Sequence, residues 1–398
     1  MKACISIDVS KGKSYYQGFR GMNEPIMKAK PIHHDRPGFE ELTTVGDKLK
    51  SESREVLYVF ESTGIYHKSL QSYLESRNEQ YVILNPLTAA KVRKSKLRST
   101  KTDQKDCQTI ALAYYAQDYE PHGRRDAHYE TLRAENRQYV YYVQILRQMK
   151  VRFRNLLDIV FPRWDEMYEN PYTEVSLALL KKYPHPEALA KSQAEAIARH
   201  LEKATRHRSA LCRIEALKAK TYASQTISGC TSNAVEPEQL RDTVDQVERQ
   251  LKLVDECLEK MKAMVREEKF FGQLSSIPGI GEILAVRLMA EMGDLNRFST
   301  SKRLVAYAGI DPVVYQSGKK DGEHLPITKK GNKNLRTLLY LAIGANIRLK
   351  KSNSILDFYN KKRQQATPLA YRAAVIACAN KLLRIIYSMY RSGEEFQF

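Results

Sequence analysis

Four acidic residues near the N-terminus have the side chains and the placement of a metal-binding carboxylate set. Asp8 follows the apolar segment ACISI, Glu61 follows the apolar segment VLYVF, and Asp103 and Asp106 lie in KTDQKDC at the start of an apolar helix. The spacing of three places Asp103 and Asp106 on one helical face. Mg²⁺ prefers oxygen ligands, and two such ions ~3.5–4 Å apart can clamp one phosphate. The pattern therefore predicts a catalytic quartet able to bind two Mg²⁺ ions.

Each of these acids, taken singly, has an ordinary structural explanation. Asp103 in the first turn of a helix would interact favourably with the helix dipole, and Asp8 would suit a turn. The combination is stronger evidence than any single member. An acid that directly follows an apolar strand core is costly unless a partner compensates for its burial.

Ser317 is a candidate nucleophile in the segment VVYQSGKK. A nucleophilic serine needs activation, or a charged setting that suits the phosphoryl transition state. Lys319 and Lys320 follow Ser317 closely, and the basic segment ITKKGNKNLR (327–336) comes soon afterwards. Because Ser-Gly is also common in ordinary turns, the segment alone only suggests a catalytic role.

The segment PGIG (278–281) predicts a helix-hairpin-helix. Gly279 and Gly281 allow a tight turn, and the helical segment ILAVRLMAEMG follows. Backbone N–H groups at the start of that helix can hold a phosphate oxygen. A generic packing turn between two helices is the alternative, and the charge of the chain favours DNA binding over it.

The charge of the chain predicts a polyanionic partner. Its 398 residues include 65 Lys+Arg and 46 Asp+Glu, a formal net charge of +19, and nucleic acid is the commonest cause of such an excess. One basic run alone is more often a solvated face, but three runs together favour nucleic acid. They are 91–101 (Lys91, Arg93, Lys94, Lys96, Arg98 and Lys101), 319–336 (Lys319, Lys320, Lys329, Lys330, Lys333 and Arg336) and 348–363.

The elements that must position these residues divide the chain into three predicted domains. Strands at 3–9, 56–60 and 81–85 alternate with helical segments, which predicts an α/β domain over residues 1–120. Apolar heptads from Leu132 to Val160 and from Leu240 to Val265 predict a helical, coiled-coil region over 121–270. The two series are compatible with an antiparallel hairpin, with dimerisation between chains, and with an intramolecular bundle. A mostly α C-terminal domain, with the helix-hairpin-helix and Ser317, is predicted over 271–398.

Other features predict a cytoplasmic protein in a reducing compartment. The six cysteines are dispersed without a CxxC pair, which argues against a disulfide scaffold and a cysteine zinc site. No apolar run approaches the ~20 residues that span a bilayer, so no membrane partner is expected. The start, MKACISIDVSK, has no signal-peptide apolar region.

Several motifs together resemble one known family. In the N-terminal part these are IDVSK, FESTGIY, Asn85-Pro86 and KTDQKD. Later come IPGIG, RFSTSKRLVAYAGIDP, the Ser-Gly at 317–318 and ITKKGNKNLRTLLY. In this order they closely resemble the DEDD transposases of bacterial "IS-one-ten" insertion sequences, which are bridge-RNA-guided recombinases.

The resemblance implies a fold, an activity and a set of partners. It implies a RuvC-like (RNase H-like) N-terminal domain, a coiled-coil middle and a C-terminal transposase domain. It implies that Asp8, Glu61, Asp103 and Asp106 bind metal and that Ser317 forms a covalent serine–DNA phosphodiester. The family assembles these sites across the protomers of a tetramer, a dimer of dimers. A structured non-coding RNA pairs with double-stranded donor and target DNA, in the bacterial cytoplasm at the nucleoid.

Two alternatives explain parts of the same pattern. A RuvC-like nuclease acting on branched DNA would need the acidic quartet but not Ser317. An architectural nucleic-acid-binding protein would need only the basic runs and the helix-hairpin-helix, and its binding would weaken steeply with salt.

Overall fold

The computed structural model describes two compact units, residues 1–125 and 126–398. The described residues are 2–52, 55–62, 64–85, 92, 103–117, 119, 121, 126–312, 316–317, 320–321 and 327–397. For residues 103–104, 316–317 and 320–321 the description covers the backbone only. The predicted division of the second unit near residue 270 stays a prediction.

A mixed sheet forms the centre of the first unit. Over the described residues its strands are β1 (Ala3–Asp8), β2 (Lys13–Gly21), β3 (Glu24–Pro25), β4 (Lys30–His33), β5 (Val56–Glu61) and β6 (Tyr81–Leu84). The order is β3-β2-β1-β5-β6, and β4 also pairs with β2. β1 is antiparallel to β2 but parallel to β5, and β5 is parallel to β6. The predicted α/β character of this region is confirmed.

The sheet is apolar on both faces because helices cover both. Alternate strand residues point to opposite faces. Ile5, Ile7, Tyr58 and Phe60 share a core with α1 (Arg36–Ser51) and α2 (His67–Ser76). Cys4, Leu57, Val59, Val82 and Leu84 share the opposite core with α3 (Asp103–Tyr115). These near-continuous apolar runs are typical of strands buried on both faces.

The second unit is mostly helical over its described residues. Its helices are α4 (Ala127–Val160), α5 (Trp164–Met167), α6 (Glu174–Lys182), α7 (Pro186–Lys191), α8 (Ala194–Ala204), α9 (Ser209–Gln225), α10 (Val235–Val265), α11 (Lys269–Ser276), α12 (Glu282–Met292), α13 (Ser301–Ala308), α14 (Lys333–Leu349), α15 (Ser354–Gln364) and α16 (Tyr371–Ser392). A short hairpin of β7 (Gln316–Ser317) and β8 (Lys320–Asp321) lies between α13 and α14. The predicted helical layout of this part of the chain is confirmed.

The two heptad series form the two longest helices of this unit, α4 and α10, which pack antiparallel within one chain. Gln250 Nε2 donates to the Tyr142 carbonyl at 3.0 Å, and Cys257 Sγ donates to the Glu135 carbonyl at 3.4 Å. A step of seven residues forward along α10 thus matches a step of seven back along α4. Of the arrangements left open by the sequence, the structure contains an intrachain pair. The predicted coiled-coil supercoil stays a prediction.

Two cores lie along this helix pair. Leu146, Phe153 and Val160 of α4 pack with Leu240, Val244 and Val247 of α10 and with residues of α6 to α9. Toward the other end of the pair, Leu132, Met261 and Val265 join the core built by α11, α12, α14 and α16. The long helices therefore connect the middle of the chain to the C-terminal elements.

Helix α16 is long and apolar enough to cross a membrane by length and composition. Its apolar residues are instead part of the C-terminal core: Val375, Cys378, Leu382, Leu383 and Ile386 are all buried. The helix also carries Arg372, Lys381, Arg384 and Arg391. Its composition is that of a core helix with charged outer positions.

Truncating Leu240 tests the helix pair. Leu240 is fully buried in α10, so Leu240→Ala should lower the free energy of unfolding by about 2–5 kcal/mol. Leu217→Ala makes the same chemical change in α9, where Leu217 is 59% exposed, and should change stability by less than about 0.5 kcal/mol. Urea unfolding followed by circular dichroism measures both, and equal losses would contradict this packing.

Candidate active site

Strand register brings two of the four predicted acids side by side. In the parallel β1–β5 pair Ile7 is opposite Phe60, so the next residues, Asp8 and Glu61, are neighbours at the strand ends. In β1, Asp8 lies an even number of residues after Cys4; in β5, Glu61 lies an even number of residues after Leu57 and Val59. These three apolar residues face α3. Strand alternation therefore directs Asp8 and Glu61 to the α3 face of the sheet.

Helix α3 places the other two acids at the same end of the sheet. Cys107 Sγ donates to the Tyr15 carbonyl at 3.4 Å, and Tyr15 is the β2 partner of Asp8. The first turns of α3 therefore lie over the end of β1. Asp106, directly before Cys107, is only 5% exposed. Asp103 begins α3 three residues earlier, and its side chain lies outside the described part of the structure.

The donor set fits a hard divalent cation in its chemistry. All four side chains are carboxylates, and oxygen-only ligand sets select Mg²⁺, Mn²⁺ or Ca²⁺ over Zn²⁺. Among the described side chains, no three His, Cys, Asp or Glu groups are close enough to hold a metal ion together. Asp103, the fourth member of the set, is not among them.

Ser317 is in the β7–β8 hairpin of the second unit. It pairs with Lys320 across the hairpin, and Gln316 pairs with Asp321. The base of this segment is held by a bridge between Pro312 and Ile327 and by Thr328, whose Oγ1 donates to Asp311 Oδ1 at 2.7 Å. Gly318 and Lys319, at the tip, lie outside the described residues.

A buried carboxylate holds the segment that follows this hairpin. Glu291 of α12 is fully buried and accepts hydrogen bonds from Asn136 Nδ2 and Asn332 Nδ2, both at 2.8 Å. Arg137 Nη2 donates to the same carboxylate at 2.9 Å. Asn332 is the N-cap of α14, since its Oδ1 accepts from the N–H groups of Asn334 and Leu335. One acid thus joins α4, α12 and the start of α14.

Tyr307 lies beside this network. Burial raises the pKa of its phenol, but Arg133, Arg297 and Asn332 together lower it by more, so the net direction is downward. Arg133 Nη2 donates to Tyr307 Oη at 3.3 Å, and Tyr307 Oη donates to the Glu291 carbonyl at 3.2 Å. The ring is therefore fixed by cations beside the base of the Ser317 hairpin.

Glu291 and Tyr307 were not among the residues predicted from the sequence. A usable signal for Glu291 was present, because it is an acid within the apolar segment ILAVRLMAEM and the burial argument applied to Asp8 also applies to it. No comparable signal exists for Tyr307. Its cationic neighbours come from α4 and from the short 3₁₀ helix Leu295–Arg297, which only folding brings together.

The PGIG segment lies between two helices, α11 and α12, and the helix-hairpin-helix stays a prediction. Gly279 has φ +90°, and a Cβ there would lie 2.5 Å from the Asn346 nitrogen of α14. Gly281, the N-cap of α12, has open space around it. Asn346 Nδ2 donates to the Pro278 carbonyl at 2.7 Å. A cleft at this turn is lined by Arg348 and Lys351 as well as by the glycines.

The predicted nucleic-acid-binding cations are only partly within the described structure. Lys329 and Lys330 are exposed, just before α14. Arg336 Nη1 donates to the carbonyls of Ala308 and Gly331 at 2.9 and 3.0 Å, and burial lowers its pKa. It therefore has a structural contact, whatever else it binds. Lys91, Arg93, Lys94, Lys96, Arg98, Lys101 and Lys319 lie outside the described residues.

Two buried cysteines, Cys4 and Cys378, do not offer an alternative nucleophile. All six lie in the described part of the chain and are free thiols. Burial raises the pKa of Cys4 to about 12 and that of Cys378 to about 11. Both thiols therefore stay protonated at neutral pH, and a thiol is a much weaker nucleophile than a thiolate.

Comparison with known proteins identifies the family. The model of the DEDD IS110 transposases matches residues 5–162, and the model of the IS116/IS110/IS902 transposase family matches residues 272–360. The first range contains all four acids, and the second contains PGIG and Ser317. The chain belongs to the IS110 family of DEDD transposases. It is a DNA transposase, and the resemblance predicted from its motifs is confirmed.

Relatives of this transposase match it over different lengths. An uncharacterized protein of insertion element IS116 from Streptomyces clavuligerus is 24% identical over 98% of this chain and 95% of its own length. A pilin gene-inverting protein of Moraxella bovis is 23% identical over 91% of this chain and 88% of its own. The transposase of insertion sequence IS1111A from Coxiella burnetii is 32% identical over 35% of this chain and 38% of its own.

The PGIG turn of the transposase gives a matched pair of glycine substitutions. Gly279→Ala should destabilise the protein by about 1–3 kcal/mol, because Ala is strained at this positive φ and its Cβ would contact α14. Gly281→Ala should cost less than about 1 kcal/mol, since the position is open and only the cap preference changes. Thermal unfolding of the two variants measures the difference, and a more costly Gly281→Ala would contradict the described turn.

Removing the charge of Glu291 tests the buried network. Glu291→Gln should lower the free energy of unfolding by about 2 kcal/mol, because its single amide nitrogen replaces an oxygen that accepts from Asn136 or from Asn332 and Arg137. Glu282→Gln, on the same helix, is the control: the Glu282 side chain is 64% exposed in its ion pair with Lys262, and such a pair contributes ~0–1 kcal/mol. Denaturant unfolding of both variants compares them, and an unchanged Glu291→Gln would show that the network does not stabilise this region.

Proposed function

We propose that this transposase is an RNA-guided DNA recombinase that cuts and rejoins DNA strands through a covalent bond to Ser317. Asp8, Glu61, Asp103 and Asp106 would hold Mg²⁺. One observation supports this above the others: the two matched family regions each contain one half of the predicted chemistry, the four acids in 5–162 and Ser317 in 272–360.

The sheet supports the acidic half of the proposal. An antiparallel β1–β2 hairpin followed by the parallel strands β5 and β6 has the strand order expected of an RNase H-like, and hence RuvC-like, domain. Adjacent parallel strands end in carboxylates, and α3 contributes the other two. Mg²⁺ bound there would act as a Lewis acid that polarises the phosphoryl oxygens of the scissile phosphate.

Ser317 would perform the covalent step. Its Oγ would attack the scissile phosphorus, lose its proton and form an Oγ–P bond, while the P–O bond to one DNA hydroxyl breaks and that oxygen takes up a proton. Reversal with a different DNA hydroxyl would rejoin strands and free the serine. Because the phosphodiester energy is kept in the serine ester, rejoining would need no ATP.

Positive charge around the hairpin supports this role for Ser317. Lys320 is its cross-strand partner, and the exposed Lys329 and Lys330 follow the hairpin base. Cations near a phosphoryl group stabilise the charge that develops in its transition state. The α12 end of the PGIG turn, with Arg348 and Lys351 in its cleft, would bind the DNA backbone nearby.

The partners we propose follow from family membership and charge. Double-stranded donor and target DNA would be the substrates, and a structured non-coding RNA would select them by base pairing. The basic run 91–101 would contact that RNA. The carboxylate set of one protomer and Ser317 of another would form a composite active site within a tetramer. The complex would act in the bacterial cytoplasm, at the nucleoid. The Moraxella bovis relative is named for inverting a pilin gene, and inversion also requires cutting and rejoining.

A denaturing gel tests the covalent step. Purified protein, Mg²⁺, element-junction DNA and RNA transcribed from the flanking non-coding region are combined, and DNA that migrates with protein is quantified. Wild type should form the adduct. Ser317→Ala should abolish it, because the nucleophile is gone, and Asp8→Asn should reduce it at least about 100-fold, because the carboxylate set is broken.

Matched controls separate these effects from loss of folding. Ser299→Ala and Asp158→Asn change exposed residues of the same types and should leave adduct formation unchanged. Free cleaved ends without an adduct, equally abundant in Ser317→Ala, would overturn the nucleophile and favour a RuvC-like nuclease. Adduct formation that survives Asp8→Asn would overturn the role of the acidic set.

A further inference from the structure

One face of α4 has a basic surface that the proposed catalytic site does not use. Between Asn136 and Leu157 the helix contains five cations and no acid. Arg147, Lys150 and Arg154 follow one another at steps of three and four residues, so they lie on the same face. We call these three residues the α4 basic face. Arg152 points elsewhere, and Arg137 pairs with Glu291.

The cations of the α4 basic face have other cations as neighbours. Within the described part of the chain, none of the three has a carboxylate at ion-pair distance. Burial and then Arg154 lower the pKa of Lys150. Arg287 of α12 is half-buried beside Arg147; burial lowers its pKa most, Tyr139 and Glu291 raise it, and Arg147 lowers it by a smaller amount. Mutual repulsion of this kind is relieved when a polyanion binds.

Tyrosine rings hold Lys150 and Arg154 of this face, and the neighbouring Arg287, in place. Lys150 Nζ lies 4.1 Å from the centre of the Tyr172 ring, and the Arg154 guanidinium lies 6.0 Å from it. Tyr172 Oη donates to the Lys150 carbonyl at 3.4 Å. The Arg287 guanidinium lies 5.0 Å from the centre of the Tyr139 ring. The charged groups are therefore partly ordered before any ligand binds, which reduces the entropy lost on binding.

The same contacts favour duplex DNA as the ligand. Recognition of single-stranded RNA or DNA uses aromatic faces on which bases stack, and the rings here are already covered by the protein's own cations. What remains is a row of positive groups along α4. From Arg147 to Arg154 the row extends about 10 Å at 1.5 Å per residue, which spans about three phosphates of one DNA strand.

We propose that the α4 basic face binds the sugar-phosphate backbone of duplex DNA, without reading its sequence. This inference rests on the proposed function only in that DNA is the substrate. It adds a contact made by the middle of the chain, away from the carboxylates and Ser317 in sequence. Backbone contacts of this type fix the position of a protein on DNA, while sequence selection comes from other contacts.

The test compares two triple variants of the full chain in which net charge changes equally. Arg147→Gln, Lys150→Gln and Arg154→Gln together remove the α4 basic face. Arg152→Gln, Lys203→Gln and Arg213→Gln remove three exposed cations from another face of α4 and from α8 and α9. Fluorescence anisotropy measures binding to a 40-base-pair DNA duplex over a range of salt concentrations, and circular dichroism checks folding.

Affinity falls as salt rises, so the plot of log affinity against log salt has a negative slope. Loss of the α4 basic face should reduce the magnitude of that slope by about 2–3, since each lost phosphate contact removes about 0.9. The control triple should keep the wild-type slope. Equal slopes in both variants would overturn the proposal, as would weaker binding to single-stranded or duplex RNA with DNA binding unchanged. This assay measures binding without strand cleavage, so failure of the covalent mechanism in the gel assay would be recognised separately.

Discussion

The arrangement of the second unit depends on one buried carboxylate. Glu291 is fully enclosed, yet its oxygens accept hydrogen bonds from α4 and from the N-cap of α14. A buried charge of this kind is tolerated only where several donors compensate for lost water. Those donors are available only when α4, α12 and α14 are all in place. The carboxylate therefore favours one arrangement of these helices over others that would bury the same apolar area.

Packed secondary structure lies immediately beneath each of the proposed catalytic sites. In the first unit, parallel pairing of two fully buried strands fixes the positions of Asp8 and Glu61, and α3 is tied to the same edge by Cys107. In the second unit, the base of the Ser317 hairpin is formed by Asp311 and Pro312, shortly after α13, which pair with Thr328 and Ile327. Functional residues at strand ends and in loops, supported by packed elements, are a common solution in enzymes.

Much of this could be predicted from the sequence, and the exceptions have physical reasons. The strand ends at Asp8 and Glu61 followed from apolar runs that stop at an acid. The heptads correctly predicted two long helices. An intrachain pair and a dimer between chains would bury the same apolar face of each helix, so heptad periodicity does not distinguish the two arrangements. Local sequence patterns do not reveal contacts between residues that are far apart in the chain. Glu291 and Asn136 are 155 positions apart, and nothing near either residue indicates the other.

The central claim is that strand exchange passes through a covalent bond between DNA and Ser317, and the most direct test is to locate that bond. Wild-type adduct, formed with Mg²⁺, junction DNA and RNA, would be digested with nuclease and trypsin and analysed by tandem mass spectrometry. We expect a nucleotide remnant on the peptide that contains Ser317, with fragment ions that assign the added mass to that side chain. A remnant on any other residue, or cleaved DNA with every peptide unmodified, would contradict the mechanism.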